Sequence, residues 1–361
     1  KAEIMTLQQG STDFMTLRRE VDTNRELYDG LLQRMKEVGV AAGMTNNNIS
    51  IVDQAEVPRF RFKPSLKKNL TMALFIGLLG GVLLAFLFEH LDDSIKNPND
   101  LEKASKLPVL GIIPDISAEK IPADAVTLLT HTQPKSAFSE AYRSMRTALM
   151  FSTTEGAPNV LHFTSMNASE GKTTSAISMA INFTQSGSTV LLIDADLRNP
   201  SLHKEFNLPN GVGLTNYLVG TLSPVDVAQS SGITRLFTIT TGDIPPNPAE
   251  LLQSGKMIDL LTLAAERFDY VILDGPPVLG LADALVLANL AKATILIVEA
   301  GETRLSSLEA GLKRLKHARA NILGMALTKY TKIRGSYGYD YQYSYDYGAS
   351  DAEQQLETSK S

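Results

Sequence analysis

One stretch constrains this chain more than any other. Leu70–Phe88, LTMALFIGLLGGVLLAFLF, runs 19 residues without a charge, and Thr71 is its one polar side chain. At about 1.5 Å per helical residue it reaches roughly 28 Å, the hydrocarbon thickness of a bilayer. It is therefore expected to cross a membrane as a single helix. Gly77 and Gly81 form a GxxxG pair with Gly80 beside them, which would let a second helix approach closely. The alternative is a buried helix of a soluble domain, but such helices seldom run this far without a charge. Some 69 residues precede the stretch, which excludes a signal peptide. The sequence opens on Lys1 rather than Met, so it is expected to be a piece of a longer chain.

Upstream, Phe14, Leu17, Val21, Asn24, Tyr28, Leu31, Met35 and Val38 recur at alternating intervals of three and four. This a/d seam predicts a helix within residues 1–48 packed as a coiled coil or as a helical hairpin, with Asn24 as a polar register device. Residues 49–69 hold a short strand at Ile49–Val52, then Pro58 and Pro64, which stiffen the approach to the span at 70–88. Residues 89–135 are expected to be a linker, with a short helix at Leu101–Lys106 and a short buried strand at Pro108–Pro114. From 136 to 329, short runs rich in Val, Ile and Leu alternate with helical patterns. The strands are Val160–Thr164, Val190–Asp194, Leu236–Thr240, Tyr270–Asp274, Thr294–Glu299 and Ile322–Thr328. That alternation predicts an α/β domain, a doubly wound parallel sheet covered on both faces. Residues 330–361 read as a flexible tail.

Composition narrows the chemistry. Acids outnumber bases 39 to 34, for a net charge of −5, and no basic face stands out, which argues against nucleic acid as a partner. With no Cys, thiolate metal sites and Cys nucleophiles are excluded. His90, His131, His162, His203 and His317 lack metal-ligand spacing and are read as structural or surface residues.

Three strand ends carry the functional residues. After Val160–Thr164 comes SMNASEGKTT, in which Gly171-Lys172-Thr173 is the core of a P-loop. Backbone N–H groups of Ser169, Glu170, Gly171, Lys172, Thr173 and Thr174 would cradle phosphate oxygens, Lys172 would neutralise them, and the Thr173 hydroxyl suits Mg²⁺. Met166 stands where such loops carry their first Gly, and Ala168 and Ser169 are small but not Gly. The second strand ends in Asp194-Ala195-Asp196-Leu197-Arg198 and the third in Asp274-Gly275-Pro276-Pro277. Carboxylates at the ends of buried strands are expensive unless they face a ligand or metal. Asp196 and Asp274 are the expected metal ligands beside Thr173, and Arg198 is expected at the nucleotide. The expected ligands are ATP and Mg²⁺. A second source of chemistry lies in the tail, where Tyr337, Tyr339, Tyr341, Tyr343, Tyr345 and Tyr347 alternate with Gly, Asp, Gln and Ser. Such a run reads either as a packed aromatic strand or as accessible phenols.

Together these segments resemble the bacterial tyrosine kinases. LLIDADLR is similar to their Walker A′ motif, VILDGPP to their Walker B, and GDIPPNPAELLQS to a segment typical of the family. Glu140-x-x-Arg143-x-x-Arg146 is similar to the EX2RX2R motif through which such domains pair into rings. The coiled-coil helix, Pro-containing approach, apolar span and FEHLDDSI resemble the end of a polysaccharide co-polymerase, in the Wzc-like arrangement that fuses it to a kinase. The resemblance implies a P-loop NTPase-type kinase with Lys172, Asp194, Asp196 and Asp274 as catalytic residues, and Asp194 or Asp196 as the base. It implies phosphorylation of the tail tyrosines in trans around a homo-oligomeric ring. The implied partners are polysaccharide polymerase and export machinery, a cognate tyrosine phosphatase and the inner membrane.

Topology follows from the same reading. Arg59, Arg61, Lys63, Lys67 and Lys68 precede the span, and the positive-inside rule alone would put that side in the cytoplasm. The nucleotide motifs after the span need cytosolic ATP, so the expected arrangement is a periplasmic N-terminal part and a cytoplasmic kinase domain. Two other readings remain open here: a non-catalytic co-polymerase scaffold, and an ATPase switch of the MinD/ParA type, which usually carries a signature Lys at the place of Asn167.

Overall fold

The computed structural model describes residues 2–43, 53, 57, 59, 63–119 and 121–331. The expected strand Ile49–Val52, Pro58 and the Tyr337–Tyr347 cluster lie outside these residues. The chain divides near Leu83 into two units.

In the first unit, Ala2–Gly43 is one continuous helix of 42 residues, and its a/d side chains are exposed along the chain. Leu66–Leu91 is a helix of 26 residues that runs on past the division. It is long and apolar enough to cross a membrane. None of its residues is buried, and Leu74 and Phe86 are each 72% exposed. A core helix of a soluble domain would hide such side chains, so this exposure favours a lipid-facing segment.

The second unit is built on an eight-stranded sheet. Its strands are β1 (Val109–Pro114), β2 (Val160–Ser165), β3 (Val190–Asp194), β4 (Gln229–Ser230), β5 (Leu236–Ile239), β6 (Tyr270–Asp274), β7 (Ala293–Glu299) and β8 (Ile322–Tyr330). Their order is β1-β8-β7-β2-β6-β3-β5-β4, and every pairing is parallel except β4 with β5. All six β2 residues and all five β3 residues are buried, as expected where helices cover both faces. Apolar clusters on the two faces hold Phe163, Ile177 and Phe183 on one side and Leu191, Leu218 and Leu260 on the other.

Residues 89–135 are more than the expected linker. β1 is an edge strand of the sheet, paired with β8, so the sheet begins upstream of Ser136. Leu110, Ile113, Ile116 and Leu129 join the core against Phe138, Tyr142 and Met145 of the helix Ala137–Met150. The backbones can come this close because residue 111 is Gly: a Cβ there would lie 2.8 Å from the Met145 Cβ. The two-residue β4 was not anticipated, being too short to leave a periodic pattern.

Candidate active site

The parallel sheet brings the carboxyl ends of β2, β3 and β6 together, where ligands of open α/β sheets bind. After β2, residues 166–171 form a loop that feeds the helix Lys172–Gln185. Ser169 and Gly171 take left-handed conformations, φ 69° and 92°, a turn that suits Gly at 171 and strains Ser at 169. The N–H groups of Glu170, Gly171, Lys172 and Thr173 meet no acceptor among the described residues. Unpaired donors at a loop-to-helix junction form an anion cradle.

Lys172 reaches across this junction. Its Nζ lies 3.0 Å from Asp196 Oδ2 and 4.0 Å from Asp274 Oδ1. Burial alone would depress the ammonium, but Asp274, Asp196 and Asp194 outweigh it and hold Lys172 above its usual value. Thr173 Oγ1 donates to Asp274 Oδ2 at 2.7 Å. Asp194 and Asp274 are direct neighbours in the β3–β6 ladder. Burial, then Asp274, pushes Asp194 up to about 7. Burial also raises Asp274, against the pull of Lys172 and Thr173. The turn after β3 satisfies two further oxygens: the N–H groups of Ser201 and Leu202 donate to Asp194 Oδ2, each at 3.0 Å, and that of Asn199 to Asp196 Oδ1 at 3.1 Å.

Two buried carboxylate oxygens, Asp194 Oδ1 and Asp274 Oδ1, have no hydrogen-bond partner. Such orphans are rare in a folded interior and fit a hard cation in an oxygen-rich site. Among the described residues no three His, Asp or Glu side chains close around one point. Mg²⁺ takes one or two carboxylates together with water and phosphate oxygens. The residues present therefore suit Mg²⁺ bound with a nucleotide.

The expected site residues separate into groups. Ser169 through Thr174, Asp194, Asp196 and Asp274 gather at one place. Glu170 is buried and turned inward: its carboxylate accepts from the Met166 N–H, Asn167 Nδ2 and Thr303 Oγ1, bracing the loop from within. Arg198 is committed to Asp283, with Nε and Nη2 at 2.6 and 3.2 Å from its two oxygens. Glu140, Arg143 and Arg146 stand apart on the helix Ala137–Met150. Arg143 pairs with Glu140, and Arg146 donates to the Asn182 carbonyl at 2.8 Å. Tyr142 of this helix buries its hydroxyl against Ser175 Oγ, 2.9 Å away in the phosphate-loop helix. Met166, the departure from the P-loop pattern, is fully buried and packs beside Gly311 and Val278, away from the cradle. Sequence reasoning missed Asp283, Thr303 and Lys329, which act from more than 80 residues away in the chain and leave no local signal.

Comparisons with known proteins agree with this geometry. Residues 8–89 match a family described as "G-rich domain on putative tyrosine kinase", and residues 167–323 match an AAA domain. The chain is 39% identical over 213 residues to tyrosine-protein kinase YwqD of Bacillus subtilis, covering 59% of this chain and 90% of that protein. It is 32% identical over 339 residues to a Klebsiella pneumoniae protein named "Putative tyrosine-protein kinase in cps region", covering 91% of this chain and 47% of that one. The solved kinase domain of Escherichia coli tyrosine kinase ETK superposes with a TM-score of 0.61 at 32% identity, covering 68% of this chain and all of that domain. The chain spans about half the length of the longer curated relatives it matches.

Proposed function

Because the chain belongs to the bacterial tyrosine-protein kinase family, we propose that it is a membrane-anchored kinase that transfers the γ-phosphoryl group of ATP to its own C-terminal tyrosines. The observation that carries this reading is Lys172, held between Asp196 and Asp274 at the mouth of an unpaired N–H cradle.

The residues have distinct tasks. The N–H groups of Glu170–Thr173 and the Lys172 ammonium bind the β- and γ-phosphate oxygens. Thr173 and Asp274 would hold Mg²⁺ together with one of Asp194 and Asp196, and the ion would offset the charge that spreads over the phosphoryl oxygens. Lys172 pairs with Asp196 at 3.0 Å. Phosphate oxygens compete for that ammonium, and the freed Asp196 Oδ2, or its neighbour Asp194, can accept a phenolic proton. The tyrosine oxygen forms its bond to the γ-phosphorus as the bond to the β-bridging oxygen breaks, and ADP leaves. A phenol has an ordinary pKa near 10, so an acceptor at this place aids attack at neutral pH.

The acceptors are Tyr337, Tyr339, Tyr341, Tyr343, Tyr345 and Tyr347, presented by a neighbouring copy. Glu140, Arg143 and Arg146 form the contact between copies. Each phosphate adds about −1.5 to −2 charges, so accumulated phosphorylation repels the tail and loosens the ring. The exposed apolar helix Leu66–Leu91 anchors the chain in the inner membrane, with the N-terminal part periplasmic and the kinase cytoplasmic. The relative named for a cps region supports a role in polysaccharide chain length or export, with a phosphatase resetting the cycle.

The test mixes a Lys172→Met chain with a chain lacking residues 330–361, in the presence of labelled ATP and magnesium. Phosphotyrosine is expected on the Lys172→Met chain. Label found in orthophosphate alone, and never in protein, overturns the kinase reading.

A further inference from the structure

The phosphate loop is gripped from behind by the end of β8. Thr328 Oγ1 donates to the Glu170 carbonyl at 2.8 Å, and Lys329 Nζ donates to the Ser169 carbonyl at 3.2 Å. Two consecutive strand residues thus hold two consecutive loop carbonyls across some 160 positions of sequence. Both grips are themselves anchored. Thr328 is buried and its hydroxyl also lies 3.2 Å from the Val298 carbonyl, while Lys329 Nζ is 2.8 Å from Glu299 Oε1 at the end of β7. Lys329 takes a left-handed backbone conformation, φ 50°, a strained state for a lysine.

Peptide geometry gives the grip its consequence. In a planar trans peptide the carbonyl of one residue and the N–H of the next point in opposite directions. Holding the Ser169 carbonyl toward β8 turns the Glu170 N–H away from it. Holding the Glu170 carbonyl likewise turns the Gly171 N–H away. These are two of the cradle donors that meet no acceptor among the described residues.

We propose that Thr328 and Lys329 are positioning residues of the phosphate site, which fix the peptide planes at 169–171 so that the Glu170 and Gly171 N–H groups face the bound phosphates. The proposal rests on the nucleotide-binding reading above and extends it to residues outside every nucleotide motif. The loop contact at Lys329 falls one residue before Tyr330, where β8 ends.

The experiment titrates the full chain, in lipid nanodiscs with magnesium, with the non-hydrolysable β,γ-imido analogue of ATP, and adds steady-state KM and kcat for ATP. Loss of one net hydrogen bond corresponds to an affinity change of about fivefold. Thr328→Val and Lys329→Met should each raise Kd and KM by about that factor while kcat changes less than about twofold. Thr328→Ser and Lys329→Arg, which keep a donor, should stay within about twofold of the parent. A purely structural role would instead reduce kcat with the folded fraction and leave KM alone. The Lys329 effect should persist at high salt, where a long-range charge effect is screened out. Lys329 has a side chain 49% exposed, so its truncation leaves no core cavity and carries the test even where Thr328→Val fails to fold. Unchanged Kd in Lys329→Met, or equal losses in Lys329→Met and Lys329→Arg, overturns the proposal. A parent chain that binds no analogue overturns the nucleotide-binding reading itself.

Discussion

His162 offers the sharpest physical test of how the site is built. It sits on β2 between Leu273 of β6 and Thr294 of β7, fully buried beneath the candidate site. Its Nε2 has no partner, its Nδ1 is 3.5 Å from Thr294 Oγ1, and Gly275 is Gly because any Cβ there would run into the ring. Burial, then the nearby Lys172 charge, pushes its pKa down from 6.5 to about 3. The unfolded chain therefore binds one more proton than the native one between these two values. Stability contributed by the neutral ring is complete above about pH 6.5 and is lost as pH falls, by about 1.4 kcal/mol per unit. Between about pH 7.5 and pH 4.5 the loss is about 2.7 kcal/mol by the same linkage. Asp194 works in the opposite direction, because its raised value of about 7 makes the native state bind the extra proton as pH falls. The raw pH curve mixes both effects, so the informative quantity is a difference. His162→Leu removes the titration and forfeits no strong hydrogen bond. Urea unfolding followed by circular dichroism, in EDTA and without nucleotide, should show the gap between parent and variant shifting by about 2.7 kcal/mol in the variant's favour from pH 7.5 to 4.5. Parallel curves, with a constant gap, would refute a neutral buried imidazole.

Three further outcomes follow from contacts around the site. Arg198→Ala strands the Asp283 carboxylate, 1% exposed, and should cost about 3 kcal/mol in urea unfolding, whereas Asp283→Asn leaves an Arg198 that is 44% exposed and wettable and should cost only about 1 kcal/mol. Tyr142→Phe removes the buried hydroxyl bonded to Ser175 and should lower stability by about 1–2 kcal/mol, read by thermal unfolding. Gly311→Leu drives a side chain into Met166 and should destabilise by about 1–3 kcal/mol, and adding Met166→Ala should recover part of that loss.

The fold was legible in the sequence wherever one face or one strand stated its own burial. Val190–Ile193 and Tyr270–Leu273 are unbroken apolar runs, and their ends fall at Asp194 and Asp274 in the structure. The apolar helix declared itself by length alone. β1 was visible as a strand but not as part of the sheet, because nothing in VLGIIP reveals that its partner is β8, some 200 residues later. The metal-suited carboxylates were legible for a related reason: an acid at the end of a buried run has no cheap structural explanation. The motif puts Arg198 at the nucleotide but does not reveal Asp283, with which the structure pairs it. That partner lies inside a helix start, PPVLGLADAL, where an Asp looks like an ordinary first-turn residue.

The departures in the phosphate loop have a physical sense that composition alone conceals. A glycine-rich loop is adaptable, and the freedom it has before binding must be given up when phosphate arrives. Here Met166 is fixed in the core beside Gly311, and Glu170 ties the Met166 N–H and the Asn167 amide to Thr303. Thr328 and Lys329 hold the carbonyls on the outer side. These contacts restrain the loop from the protein side, and restraint supplied by the fold leaves less conformational entropy to be lost on binding. Fewer glycines are needed because neighbouring strands supply the constraint. At Gly171, where φ is 92°, the turn still calls for one, while Ser169 holds a left-handed φ of 69° without one. A pattern search that weighs glycines would score this loop as degraded, whereas its contacts are those of a preorganised one.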